Sequence, residues 1–221
     1  MQKIAEEDSA ISSFEPSYNE EDLMDILGKI NTAIYPKRVG VKVRLVNRNF
    51  DVNIQGDTAY ATLTKTFEGV LLIAASYDSS SDKPDTILQK PFTSQVTRNI
   101  IFVKVGKSNR PLQNWRIAAI SLPQGGTINT TNIDITKLTI YLPDGETLEI
   151  TSPNDYYLKR GHGWWRDFPI VPRNDSVLIQ VELTSAYEAE DFVTLTWGAH
   201  RNGLHRAKRK FNLVSSTPAG N

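Results

Sequence analysis

The chain reads as an α+β protein: one N-terminal helix packed on a curved four-stranded antiparallel sheet, followed by a small all-β sandwich. Three observations predict this. Leu23, Leu27, Ile30 and Ile34 form a single apolar stripe at helical spacing. From Val41 to Leu122 apolar and polar residues alternate in long runs, the period of strands with one buried face. Beyond Pro123-Gln124-Gly125-Gly126 the runs shorten and turn residues recur. The boundaries that follow are a flexible acidic segment over residues 1–18, an α+β domain over 19–122 and a β-sandwich over 123–221.

The helix has its signals at both ends. Ser17 with Glu20 forms a capping box, or Asn19 caps with Asp22 in the first turn. Glu20, Glu21 and Asp22 sit where the helix dipole favours acids, and Pro36 stops continuation. The first strand alternates as Val41, Val43, Leu45 and then as Phe50, Val52, Ile54. That change of parity predicts a bulge near Asn47–Asn49. Gln55-Gly56-Asp57 is a turn, and the next strand places Ala59, Ala61 and Leu63 on one face. A polar, serine-rich loop spans Asp78 to Asp85. Strands resume from Phe92 to Val105 and from Asn114 to Leu122, with a turn over Gly106 to Pro111 between them.

In the second half Leu138, Ile140 and Leu142 alternate, Pro143-Asp144-Gly145 turns, and Leu148 and Ile150 continue. Val177, Ile179, Val181 and Leu183 form another alternating strand. Arg201-Asn202-Gly203 is a hairpin turn before a final strand from Leu204 to Val214. Short strands with frequent turns suggest an immunoglobulin-like sandwich, in architecture only, since the chain has no cysteine.

Gly56-Asp57-Thr58-Ala59-Tyr60-Ala61, the strand from Arg98 to Lys104, and Gly106-Lys107 followed by Trp115-Arg116-Ile117 resemble the NTF2-like/cystatin-like superfamily over residues 19–122. With one clear helix rather than three, a cystatin-like layout is the closer fit. The resemblance implies a cone between helix and sheet, in which some members place catalytic or ligand-binding groups. Its candidates here are Tyr60, Arg98 and Trp115, with Asp57 nearer the turn.

Composition excludes several classes. There are 25 basic and 25 acidic residues, so no net field steers the chain toward nucleic acid. Residues 1–30 nevertheless carry eight acids against Lys3 and Lys29, a net of −6. His205-Arg206-Ala207-Lys208-Arg209-Lys210 is basic, and reads as an edge strand guarded by charge rather than a phosphate-binding surface. The longest apolar run, Val70 to Ala75, is six residues, against roughly 18 needed for a membrane span. The opening fits a cytoplasmic protein and equally one whose leader was removed, and membrane contact is expected only through such an N-terminal anchor. The acidic opening then reads as a tether, which favours the periplasm or cell envelope over the cytoplasm.

Chemistry-bearing motifs are few. There is no G-x-S-x-G elbow, no phosphate-binding glycine loop and no H-E-x-x-H helix. His162, His200 and His205 do not have metal-ligand spacing, and neither metal nor cofactor is expected. The unusual segment is Gly161-His162-Gly163-Trp164-Trp165-Arg166-Asp167-Phe168. Neighbouring side chains of an extended backbone point to opposite faces, so one tryptophan anchors the loop while the other is presented. His162, Trp164, Trp165, Arg166 and Asp167 are therefore the candidate partner-binding residues, with protein the first choice and carbohydrate the second. The expected function is non-catalytic binding or scaffolding in a bacterial cell envelope, through this loop or an interdomain groove. The alternative is a small-molecule-binding or isomerase/hydrolase-like protein using the cone of the first domain. An exposed sheet face in such folds also admits a homodimer.

Overall fold

A computed structural model describes residues 1–8, 11, 34–110, 113–128, 132–161, 169, 171–187, 191, 193–197 and 207–216. Three long strands dominate it: β1 (Tyr35–Gln55), β2 (Thr58–Ser76) and β3 (Thr86–Lys104). They are followed by β4 (Trp115–Ser121), β5 (Gln124–Thr127), β6 (Ile133–Tyr141), β7 (Thr147–Ile150) and β8 (Tyr157–Lys159). Last come β9 (Leu178–Ser185), β10 (Thr194–Trp197) and β11 (Ala207–Lys210). The main sheet runs β1-β2-β3-β4-β8, with β5 also on β3. A separate sheet has the order β7-β6-β9, and β10 pairs with β11 as a ribbon.

The β1–β2 hairpin closes on the pair Gln55↔Thr58 around Gly56-Asp57. Gly56 has φ 61, the value that the first central residue of a type II′ turn needs and that a side chain resists. Farther up, the register steps from Leu45↔Phe67 to Asn47↔Thr66. Val46 is the extra residue, so the parity change in the sequence is a β-bulge. Pairs along β2 and β3 include Ala59↔Phe102, Ala61↔Ile100 and Leu63↔Arg98. Directly opposite residues share a face, so one side of the sheet carries all six.

That face is the core. Ala59, Ala61, Leu63, Ile100, Phe102, Ile117, Ile120 and Leu158 are buried together on it. Phe50 meets Phe102 edge-on at 6.4 Å between ring centroids, a favoured aromatic geometry. The N-terminal segment lies on the same face, with Ala5 of α1 (Gln2–Glu7) and Ile11 buried in the cluster. Part of the segment read as an acidic tether is thus folded against the sheet. The serine-rich loop is tied back too: Ser76 Oγ donates to Asp85 at 3.0 Å, and the Asp85 N–H donates to the Ala75 carbonyl.

The opposite face is polar and holds a knot between the two halves of the chain. Thr62 Oγ1 donates to Asn99 Oδ1 at 2.9 Å, and the Asn99 N–H donates to Ser121 Oγ at 2.8 Å. Asn99 Nδ2 donates to the carbonyl of Asn154, in the short 3₁₀ turn Pro153–Asp155 that leads into β8. Turned so that its nitrogen faces acceptors, the Asn154 amide donates to the Thr97 and Leu122 carbonyls. In the smaller sheet, Lys137 lies 2.7 Å from Glu182 and 3.9 Å from Glu149. The hydrogen bond to Glu182 raises its pKa.

The α+β expectation is corrected by this architecture. The described residues are nearly all strand, in several antiparallel sheets, and their one continuous helix, α1, has six residues. The main sheet is not four-stranded, because β5 and β8, from beyond residue 122, add to it. Instead of a compact sandwich, the C-terminal part forms a three-stranded sheet and a two-stranded ribbon. The physical reason is edge satisfaction. β3 is nineteen residues long and β4 only seven, so β4 leaves half of that edge unpaired and β5 continues along it. The helix read from the Leu23–Ile34 stripe lies outside the described residues, except Ile34.

Phe102 is fully buried at the crossing of β2, β3 and β4. Phe102→Ala is expected to cost about 3–5 kcal/mol. Urea unfolding should show a lower midpoint with an unchanged slope, and an unchanged midpoint would place the core elsewhere.

Candidate functional site

The three residues expected to share a cone do not converge. Tyr60 is 46% exposed on the polar face, one position out of phase with buried Ala59 and Ala61. Arg98 is on the core face, opposite Leu63, and is 4% exposed. Trp115 packs at the rim of the core cluster, at the far end of β4. Tyr60 and Arg98 therefore point away from each other through the thickness of the sheet.

Arg98 instead belongs to a charged floor under the N-terminal segment. Lys65 is buried on the same face, and Arg48 is paired opposite it across β1 and β2. Glu6 of α1 contacts Arg48 at 3.0 Å, and Asp8 forms an ion pair with Arg160 at the end of β8. Burial pushes the Arg98 guanidinium down to about 10, and the charge of Asp8 partly offsets this. Arg98 stays a cation at neutral pH, and the Asp8 carboxylate helps compensate it. Hydrogen bonds from Gln2 and then from Arg48 hold Glu6 below its usual pKa.

Across the sheet, Tyr157 is hydrogen-bonded to the Asn99 side chain, and burial raises its pKa. Its neighbours Thr62, Asn99 and Ser121 are donors and acceptors already committed to one another. Among the described residues there is no group of three His, Asp or Glu side chains able to hold a metal ion. No described helix is long and apolar enough to cross a membrane.

His162, Trp164, Trp165, Arg166 and Asp167 lie outside the described residues. Their loop leaves the main sheet at Arg160, whose N–H donates to the Ala118 carbonyl at 2.7 Å. The root of the aromatic loop is thus fixed beside Asp8 and the end of the core.

A concavity among the described residues lies elsewhere, and the sequence reading missed it. A cleft of about 1050 Å³ opens between the upper parts of β1, β2 and β3 and the start of the smaller sheet. Phe92, Pro91, Ile128, Ile133 and Tyr187 give it apolar surface, and Lys42, Arg44, Lys90 and Glu68 give it charge. Arg44 and Glu68 pair at 2.8 Å, which leaves Lys42 and Lys90 as the excess. Tyr187 is placed by its hydroxyl, which accepts from Asn132 Nδ2 at 2.8 Å. Phe92 is placed by Gly69 across the strands, where an added Cβ would meet the ring at 2.3 Å. The lining combines residues far apart in sequence, and only the Gly69↔Phe92 register brings this part of it together.

The Glu6 contact predicts an acid-sensitive dock. Its folded pKa is depressed, so its contribution is present above the unfolded value near 4.5 and is lost as pH falls through the folded value. Amide exchange at Ala5, whose N–H donates to the Met1 carbonyl, reports this directly. Protection should fall as the pH drops below 4.5, and Glu6→Gln should remove that part of the fall. An identical pH profile in the variant would exclude Glu6 as the cause. Comparison with protein-family models, curated proteins and solved structures found no match.

Proposed function

We propose that this chain is a non-catalytic binding protein that holds a macromolecular partner, a protein in the first instance, along the cleft between the main sheet and the β7-β6-β9 sheet. The observation that carries the proposal is the cleft's lining, which wraps the strands: Phe92 and Lys90 share one face with Gly69 and Leu71, Lys42 and Pro91 share the other with Val70, and Ile133 and Tyr187 lie beside them. Burying Phe92 and Tyr187 under a partner supplies the central apolar anchors that dominate interface energetics. Lys42 and Lys90 then favour partners with acidic side chains and speed encounter. The volume of about 1050 Å³ is at the upper end for a small-molecule pocket and suits a chain segment. The aromatic loop over residues 161–168 is the second contact in this reading. No observation favours the small-molecule cone, since Tyr60, Arg98 and Trp115 do not face a common space.

A photo-crosslinking residue at Tyr187 tests the proposal, with the same residue at exposed Leu178 of β9 as the control. In extracts of the native host, position 187 should give a discrete, saturable adduct that unlabelled protein competes away. The adduct should be absent at position 178 and weakened at least tenfold by Lys42→Glu with Lys90→Glu, the fold being checked by circular dichroism. Equal labelling at both positions, or indifference to the charge reversal, would remove the cleft from the account.

A further inference from the structure

The outer edge of β1 carries a second surface, independent of the cleft. Among the described residues no strand pairs with that edge. Its upper part has the usual guards against edge pairing: the bulge at Val46, the charges of Arg44 and Arg48, and Pro36 near its start. The lower part, Asn49 to Gln55, has no bulge, no proline and a single charge, Asp51. It contains no lysine, arginine, glycine or proline and alternates Phe50, Val52, Ile54 with polar residues. Val52 and Ile54 are 40% and 56% exposed.

The direction of the backbone groups on this edge follows from the ladder. The Lys104 N–H donates to the Asp57 carbonyl, so Asp57 faces β3 and Thr58 faces β1. The closing pair Gln55↔Thr58 is then hydrogen-bonded, as expected for a two-residue loop. Alternation turns the N–H and C=O of Asn53 and Asp51 toward β2. Those of Phe50, Val52 and Ile54 point outward.

We propose that this segment pairs with itself in a second copy of the chain, antiparallel, about a two-fold axis at Val52. In that register Val52 faces Val52 of the second copy, Phe50 faces Ile54, Asp51 faces Asn53 and Asn49 faces Gln55. Every outward backbone group meets another outward group, which gives about six intersubunit hydrogen bonds. Every apolar side chain meets an apolar one on the core face, where Phe50 already packs on Phe102. No like charges are opposed.

Neighbouring registers fail. A one-residue slip in the pairing sets apolar against polar side chains and outward against inward backbone. An axis at Asp51 opposes Asp51 to itself, and one at Asn53 keeps only the two Val52–Ile54 pairs, about four bonds. Centring on Phe50 opposes Arg48 to Val52 and draws in the bulge, and centring on Ile54 runs off the strand at Gln55. A seven-residue ladder falls well short of the roughly 1,600 Å² of a standard interface, so the affinity should lie in the micromolar range. The two main sheets would become one continuous sheet across the axis, an isologous contact that closes at two subunits.

Sedimentation of the full chain from about 1 µM to a few hundred micromolar is the test, and a dimer should accumulate across that range. Val52→Pro removes one outward N–H at the axis and leaves the bonds to β2 intact, and edge strands tolerate proline. It should keep the circular dichroism spectrum and abolish association. The chain has no cysteine, so Val52→Cys provides an independent reading that survives even if the proline variant misfolds. Under mild oxidation it should form a disulfide-linked dimer at least tenfold faster than Ile135→Cys, at a comparably exposed position on β6. A wild type that stays monomeric throughout, a dimer that persists in folded Val52→Pro, or equal crosslinking at both cysteines would overturn the proposal.

Discussion

The structure depends on β3 keeping strict alternation along one core face while both of its edges are paired. On one side it meets β2 over nearly its whole length. On the other it meets β4 near Phe102 and β5 near Val96. The same strand supplies Ile100 and Phe102 to the core, Arg98 to the charged floor, Asn99 to the polar knot and Phe92 to the cleft. An insertion in it would exchange its faces beyond that point. Arg98 would trade a compensated burial for the polar side, Asn99 would turn into the core and lose its knot, and apolar side chains would land on the polar side.

The knot around Asn99 shows how a β-rich chain can join two halves without a large apolar interface. Asn99 bonds Thr62 of β2, Ser121 of β4 and the Asn154 backbone, so one side chain and its own N–H reach three segments. Ser121 is completely buried and its hydroxyl donates a hydrogen bond to the Leu122 carbonyl. A buried polar group without such partners would cost roughly 1–3 kcal/mol, so satisfying each one also fixes where the 3₁₀ turn must sit. That position determines how β8 enters the main sheet, and so where the aromatic loop begins.

Local features were legible in the sequence. Alternation found the long strands, the change of parity between Leu45 and Phe50 found the bulge, and Gly56 and Gly145 adopt the positive φ that their turns demand. Features set by long-range register were not. Gly125 and Gly126 read as a domain boundary, yet their strand continues along β3, because local composition is blind to an unfilled edge thirty residues earlier. The cone failed for a simpler reason. Placing Ala59 and Ala61 inward already obliges Tyr60 to face outward, so a site joining Tyr60 to Arg98 contradicted the alternation it was built on. The cleft had no local signal, since β1, β3 and the chain after β9 each contribute only part of it.

Charge placement completes the argument. Arg48, Lys65, Arg98 and Arg160 gather on or beside the core face, an arrangement that desolvation penalises unless anions accompany it. Glu6 and Asp8 provide some of that compensation, from a stretch whose composition alone resembles a solvated tail. Ala5 and Ile11 explain why it is not solvated there. A short amphipathic segment that buries two small apolar positions can bring its carboxylates against a basic floor at little entropic cost. Glu6 and Asp8 and the cations they meet on the main sheet are therefore two halves of one electrostatic arrangement. Net neutrality of the whole sequence conceals it, because the compensating charges are separated along the chain and meet only when the segment docks.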